Sequence, residues 1–373
     1  MRILFTAGGS SGHVFPIVAV KRAFDSVLVG NGYVSLDIWF LGGGEIKEEE
    51  MLKMENIKVK KIMSSKWRRY FSLKNFVDIL KFPLSFAQSI FQVWLYMPDI
   101  IFSKGGQGSL PVVLAGWLCH IPIIIHESDS ITGSSNKFSA LYAKKIATSF
   151  KETKKFLAGK EKKIVLAGNP IRKGLLLGST EEAKKIFKLR GERKIILIMG
   201  GSQGAEEINS VFIDAIYKYI KEYEIIHICG EKNYKEMNLL TRGILKDDQR
   251  LYYHLYPYLT EEKLKHAYAA ADVILSRAGA GTIFEIAALE KPSILIPLAG
   301  GAQNHQARNA QYFSKIGASV VIEETNVTPN LVFGRVSQVA NSKKIREAMK
   351  KGCREFAKPN AAKDIAKIIF ETV

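Results

Sequence analysis

The sequence is poor in cysteine. Cys119, Cys229 and Cys353 are the only three in 373 residues; odd in number and far apart, they argue against a disulfide framework or a C-x-x-C metal site and fit a reducing compartment. No uninterrupted apolar run reaches the roughly 18–20 residues that a spanning helix requires. No charged segment, apolar run and cleavage site precedes the strand-like "RILFTAGG", so a secretion signal is not expected. There is no D-x-D run to clamp a metal on a diphosphate, and no Lys-Ser/Thr pair that would make a Walker A loop. Acidic residues are also short: 36 Asp and Glu face 54 Lys and Arg, a formal net charge of +18. That imbalance calls for an anionic partner. Nucleic acid, an anionic lipid surface or a phosphorylated substrate each satisfy it.

What is present is globular. The 47% hydrophobic and 24% charged content suits a folded protein long enough for two cores. "MRILFTAGG", "SLDIWFLGGG", "DIIFSKGG" and "IPIIIHES" alternate with helical stretches up to about residue 150. A second series runs through "RKIILIMGGSQG", "EIIHICG", "ADVILSRAGAG" and "PSILIPLAGG". Near-continuous apolar strands interleaved with helices imply parallel sheets covered on both faces. The expected fold is therefore α/β, two sandwiches in tandem, with the break in "LAGNPIRKGLLLGST". The predicted division is 1–165, 166–340 and a set of C-terminal helices over 341–373. The "NVT" at 326–328 matches a glycosylation acceptor but carries little weight without a secretion signal.

Three strand-to-helix turns carry chemistry. "AGGSSGH", "MGGSQGAEEIN" and "SRAGAGT" each present backbone N–H groups at a helix N-terminus, a geometry that favours phosphate. In the third, Ala280, Gly281 and Thr282 have side chains small enough to wrap a diphosphate. Glu285 follows one turn later, where an exposed carboxylate would accept from ribose hydroxyls or, in the plainer reading, support the helix N-terminus. Further on, "GGAQNHQARNAQYF" places His305, Gln306 and Asn309 at or near a helix start, and neutral amides suit sugar hydroxyls.

Read in order, "GGSSGHVFP", "KGGQGSLP", "HESDSITGSSNK", "GNPIR", "GGSQGAEEIN", "SRAGAGTIFE" and "HQARNA" span essentially the whole chain, and together they resemble the MurG family of glycosyltransferases. The resemblance implies a GT-B fold, two Rossmann-like domains with a cleft between them, the acceptor site in the first and the nucleotide-sugar site mainly in the second. It implies donor contacts from Ser10, Ser11, Gly12, Asp129, Arg172 and Ser202. Ala280, Gly281 and Thr282 would lie around the phosphates, Glu285 at the ribose, Gln306 and Asn309 at the sugar. A last helix, "AAKDIAKIIFETV", would cross back to the first domain. The chain departs from the family pattern where Ser10-Ser11 replace Thr-Gly, where Gln107 replaces Tyr, and above all where Asp129 stands in place of an Asn that contacts the sugar nucleotide. A carboxylate near a diphosphate is repulsive unless a cation or solvent intervenes.

Residues 58–97 combine basic side chains with aromatics. Lys66, Trp67, Arg68, Arg69, Tyr70 and Phe71 form the densest part. Such a mixture suits an anionic bilayer surface, single-stranded nucleic acid, or a core helix with a solvated basic rim; the resemblance favours the membrane, on its cytoplasmic face. The expected activity is inverting transfer of GlcNAc from UDP-GlcNAc to the 4-hydroxyl of the MurNAc of lipid I, an undecaprenyl-diphosphate-linked MurNAc-peptide. No organic cofactor is implied and no metal site is expected; Asp129 leaves divalent-ion assistance open. The alternatives are another UDP-sugar with another lipid acceptor, or a non-catalytic nucleic-acid-binding protein. His13 is the expected general base, its imidazole being matched to proton transfer near neutrality. A loop cap or phosphate ligand is the plainer role for it.

Overall fold

The computed structural model describes residues 1–8, 11–28, 35–43, 49–63, 73–200, 205–300 and 304–373. It divides into two units, Met1–Ile171 with Lys358–Val373, and Arg172–Ala357.

The first unit is a seven-stranded sheet in the order β3-β2-β1-β4-β5-β6-β7, parallel throughout. Its strands are β1 (Arg2–Thr6), β2 (Asp37–Gly43), β3 (Lys58–Ile62), β4 (Ile100–Ser103), β5 (Ile123–Glu127), β6 (Lys145–Thr148) and β7 (Ile164–Leu166). Helices α1 (Ser11–Leu28), α2 (Glu49–Met54), α3 (Leu73–Tyr96), α4 (Leu110–Leu118) and α5 (Ser134–Ser139) connect them. The central strands are buried on both faces, β4 and β5 at every residue, which is why their sequences read as unbroken apolar runs. One core layer joins Ile3, Phe5, Val14, Ile17 and Phe24 to Ala362, Ile365 and Ile369. The latter three lie on the last helix, α16 (Ala361–Phe370), which packs along α1.

The chain leaves the first unit after Ile171 and returns at Lys358, so of residues 341–373 only the final stretch joins it. Residues 58–62, the start of the basic run, form edge strand β3, in register with β2 from Trp39↔Lys58 to Gly43↔Ile62, and Lys58 pairs with Asp37 at 2.9 Å and Lys61 with Glu49 at the surface. Charged side chains on an exposed edge are how sheets discourage further pairing.

The second unit repeats the plan with six parallel strands in the order β10-β9-β8-β11-β12-β13. They are β8 (Lys194–Met199), β9 (Tyr223–Ile228), β10 (Tyr253–Tyr256), β11 (Val273–Ser276), β12 (Ser293–Leu295) and β13 (Val320–Val321). Around them lie α6 (Thr180–Phe187), α7 (Glu206–Asp214), α8 (Ile216–Glu222), α9 (Glu231–Ile244), α10 (Asp247–Arg250), α11 (Glu261–Ala270), α12 (Ala280–Ala288), α13 (His305–Lys315), α14 (Pro329–Asn341) and α15 (Lys343–Phe356). Core layers cover both faces of this sheet as well.

Candidate functional site

In each sheet the strand order reverses between two central neighbours, β1 and β4 in one unit, β8 and β11 in the other. Ligands in open α/β sheets bind beyond the carboxyl ends of the strands at such points.

In the first unit the backbones stay in register past the strands: Lys104 N–H donates to the Thr6 carbonyl at 2.9 Å, and Gly8 N–H to the Gly105 carbonyl at 2.7 Å. Gly106, at φ 89°, allows the close approach, since a Cβ there would stand 2.8 Å from Gly8 Cα and 3.1 Å from the His13 ring. His13 lies in the first turn of α1, so close to Gly8 that a Cβ there would stand 3.0 Å from its Nδ1. Burial, then the charge of Lys104, lower its pKa from 6.5 to about 4, while Asp129 and a hydrogen bond to the Gly8 backbone oppose the shift. The imidazole is therefore neutral at neutral pH. The hydrogen bond to the Gly8 backbone engages one ring nitrogen, and the neutral ring keeps a basic lone pair on one nitrogen.

Around it stands a buried polar cluster that the motif reading did not single out. Lys104, 2% exposed, donates from Nζ to Ser128 Oγ. Ser128 in turn donates to Asn169 Oδ1 at 3.1 Å. Burial lowers the Lys104 pKa to about 8 against the opposing charges of Glu127 and Asp129. Glu127 Oε1 accepts from the Asp129 N–H at 3.1 Å; its Oε2 accepts from the Gly133 N–H at 2.9 Å and from Asn136 Nδ2 at 3.0 Å. Burial and then Asp129 push the Glu127 pKa up. His126 Nε2 lies 2.9 Å from the Gly168 carbonyl, and burial holds its pKa far below the usual value. Asp129 is half-buried, its carbonyl taking the Thr153 hydroxyl at 3.0 Å. Lysine, histidine and glutamate in "SKGG" and "IHES" were visible as motif letters, but nothing in the sequence says that they share one interior.

In the second unit, α12 opens directly after β11. Its N-cap is Gly279, with no side-chain cap and no acidic residue in the first turn, so the N–H groups of Ala280, Gly281 and Thr282 lack intrahelical partners. An added Cβ at Gly279 or Gly281 would meet nothing within 4 Å. Among the described residues nothing crowds either position, and their packing does not demand glycine there. Glu285 faces the other way. The expectation of an exposed carboxylate is corrected: Glu285 is 9% exposed, its Oε1 bonded to Arg172 Nη2 at 2.9 Å and its Oε2 accepting the Tyr268 hydroxyl at 3.0 Å. Arg172, itself buried, keeps its charge because Glu285 outweighs the cost of burial. One turn into α12 the helix face turns back onto its own unit, and a carboxylate there needs a cation.

On α13, Gln306 Oε1 accepts from the Leu298 N–H at 3.0 Å. Asn309 is fully buried, on the face that also carries Phe313. Arg277 stands in "SRAGAG", where no spacing singles it out. It donates to Glu207 at 2.6 Å, pairs with Glu324, and reaches the Ile296 carbonyl at 3.3 Å. One buried guanidinium thus ties the start of α7 to the ends of β11 and β12 and to the turn after β13. Ser10, Ser202 and Lys66, Trp67, Arg68, Arg69, Tyr70 and Phe71 lie outside the described residues, as does the side chain of Ser11; Gly12, in the first turn of α1, is exposed. Among the described residues no group of three or more His, Cys, Asp or Glu could hold a metal ion.

The glycosyltransferase family 28 N-terminal domain matches residues 3–148 and its C-terminal domain residues 195–367. The chain belongs to glycosyltransferase family 28. Within that family it is 38% identical, over 92% of each chain, to the UDP-N-acetylglucosamine–N-acetylmuramyl-(pentapeptide) pyrophosphoryl-undecaprenol N-acetylglucosamine transferase of Clostridium kluyveri. It is 35% identical to the enzyme of the same name from Legionella pneumophila, over 91% of this chain and 89% of that one. The crystal structure of Acinetobacter baumannii MurG superposes with a TM-score of 0.73 at 25% identity, covering 99% of both chains. A UDP-GlcNAc 2-epimerase from Neisseria meningitidis shares the fold at 14% identity and a TM-score of 0.69. The family 28 membership makes this chain a glycosyltransferase built from two Rossmann-like α/β units, as the motif order implied.

Proposed function

We propose that this family 28 enzyme transfers GlcNAc from UDP-GlcNAc to the 4-hydroxyl of the MurNAc of lipid I, with inversion and with UDP as leaving group. The observation that carries the reading is identity of 34–38% over nine-tenths of the chain to transferases named for that reaction. In it the acceptor oxygen attacks the anomeric carbon, the bond from that carbon to the UDP oxygen breaks, and the hydroxyl proton passes to the His13 ring. A neutral imidazole is the form able to take it. Negative charge develops on the departing diphosphate, and the unpartnered N–H groups of Ala280 to Thr282 are suited to stabilise it. Arg172 is held by Glu285 at the edge of the same turn, and each Glu285 oxygen keeps a second lone pair for a ribose hydroxyl. Gly12 and Gln306 complete the donor contacts, while Asn309, fully buried, acts only from within the packed face of α13; Ser10, Ser202 and the Ser11 side chain lie beyond what the structure describes.

The enzyme works at a membrane surface in this reading. No described helix is long and apolar enough to cross a membrane. Support comes from an apolar surface on the first unit: Leu84 56%, Phe91 56%, Trp94 64% and Leu95 59% exposed on α3, which packs along α4, where Trp117 and Leu118 are more than half exposed. Phe138 and Trp117 both pack at a tilt against Tyr142, and Lys137 and Lys144 stand exposed beside them. Exposed aromatics edged by lysine suit the interface of an anionic bilayer, with lipid I as the acceptor within it.

Donor competition tests the proposal. With lipid I as acceptor, purified protein should transfer from UDP-GlcNAc in clear preference to UDP-galactose and UDP-glucose. Equal use of all three, or tight salt-dependent oligonucleotide binding without UDP affinity, would overturn it.

A further inference from the structure

The helices that open beside the switch point of the second sheet have opposite first turns. α12 begins without an acidic residue, whereas α7 begins with Glu206 and Glu207. An anion is favoured at the first of these ends, while at the second the helix's own carboxylates answer the dipole. Because β8 and β11 are neighbours in the sheet, acids at the start of α7 are a hazard to an anion bound at the start of α12. Arg277 lies between the two. It leaves β11 just ahead of Ala278 and the Gly279 N-cap, and it is buried. Its Nη2 donates to Glu207 Oε2 at 2.6 Å; its Nη1 pairs with Glu324 Oε1 and donates to the Ile296 carbonyl at 3.3 Å. The other Glu324 oxygen accepts the Ala299 N–H. Among the described residues, then, one guanidinium is the cation paired with both carboxylates, and both of its terminal nitrogens are engaged by protein groups.

We propose that Arg277 is a positioning residue for the donor: it holds and neutralises Glu207 and Glu324, so that the opening turn of α12 stays receptive to a diphosphate, and through Glu324 it fixes the 296–299 segment that leads toward α13. The proposal rests on the reading of that turn as the diphosphate site. Without the guanidinium, carboxylates from α7 and from the turn after β13 would border the turn with no counter-charge from β11. Like charges at a partly buried site repel more strongly than in bulk water, and a diphosphate would meet that repulsion directly. A lysine could supply the charge but not the planar fork that reaches two carboxylates and a carbonyl at once.

The test uses the full chain as parent, Arg277→Met, the pair Glu207→Gln with Glu324→Gln, and the triple variant. Affinities for UDP and for uridine, which lacks the diphosphate, are measured at low and high salt. Arg277→Met should weaken UDP binding about tenfold or more, leave uridine binding little changed, and raise the KM for UDP-GlcNAc but not that for lipid I. Added salt should restore part of the lost UDP affinity, because it screens the exposed repulsion. The triple variant should bind UDP more tightly than Arg277→Met, since with both acids neutral the cation has nothing left to offset. Should Arg277→Met fail to fold, the Glu207→Gln, Glu324→Gln pair still decides: with the guanidinium unopposed, UDP should bind more tightly than to the parent and uridine equally. Equal losses of UDP and uridine affinity in Arg277→Met, a triple variant no better than Arg277→Met, or UDP affinity unmoved in the acid pair overturns the proposal. UDP binding that survives Gly281→Asp would instead overturn the diphosphate reading of the α12 turn, and the proposal with it.

Discussion

A histidine whose pKa lies at about 4 is an available acceptor over the whole neutral range, at the expense of basic strength. The pH dependence follows from that. For the free enzyme kcat/KM should hold level from pH 7 down to about 5 and fall only as the pH nears 4, and the limb should disappear in His13→Ala, which should lose roughly 10²–10⁴-fold in turnover while binding UDP-GlcNAc nearly as well. Stability changes in the same direction. The unfolded chain binds a proton at 6.5 and the folded one at about 4, so more protons are bound in the unfolded state between those values. Folding therefore weakens as pH drops through that window and is unaffected by this residue above 6.5. Denaturant titrations at pH 7 and 5 should show a smaller loss in His13→Asn than in the parent. Glu285 illustrates what a motif does not disclose. The spacing in "SRAGAGTIFE" put a carboxylate one turn into a helix, but whether it meets solvent depends on Arg172 and Tyr268, which are 113 and 17 residues away. Removing a buried partner leaves a bare cation, so Glu285→Ala should cost about 3–5 kcal/mol of stability in the second unit as well as donor affinity. Glu285→Gln separates the two effects by keeping shape and one acceptor, with Tm and the Kd for UDP as the readouts.

The helix that opens at Ala280 is an element whose stability and function make opposite demands. An acidic side chain in its first turn would satisfy the dipole and stabilise the helix by about 0.3–1 kcal/mol, and replacing a helical glycine adds a similar increment. Nothing crowds a Cβ at Gly281. Gly281→Asp should consequently raise the melting temperature slightly while abolishing UDP binding by calorimetry; a variant that still binds would remove the diphosphate from this helix end. Strands were the elements most legible in the sequence, because β1, β4, β5, β8, β9 and β11 are covered on both faces and their composition needs no alternation. The short strands β6, β7, β10 and β13, the last with two residues, leave no such trace, and β3 hides inside a basic run because it is an edge. Residues 58–97 stand out in the sequence for basic and aromatic side chains together, and α4 for neither; on both α3 and α4 it is exposed apolar side chains that make the surface. Trp94→Ser together with Trp117→Ser should reduce sedimentation with anionic vesicles and leave UDP affinity intact, and equal sedimentation would count against membrane docking there.

At the scale of the whole molecule, the two-unit plan was legible because glycine-ended strands recur in two series. The unit boundary was less so: "GNPIR" marks a change of direction, but that Arg172 begins the second unit follows from its ion pair with Glu285, a contact between distant segments. Most of the motifs likewise follow the ends of strands, and they do not show the interior charges beside them. The first unit is made of two pieces of chain, and the packing of α16 on α1 has a consequence for how the protein comes into being. Val14, Ile17 and Phe24 are covered in part by Ile365 and Ile369, each fully buried, so Ile369→Ala should cost the first unit about 2–5 kcal/mol, seen as a lowered unfolding midpoint there with UDP binding to the second unit preserved. During synthesis the second unit is complete in sequence before α16 emerges. The second unit can therefore mature on the ribosome, while the first waits with an uncovered apolar layer for the last turns of helix, which makes the unit that carries His13 the later to fold and the one most in need of protection in the interval.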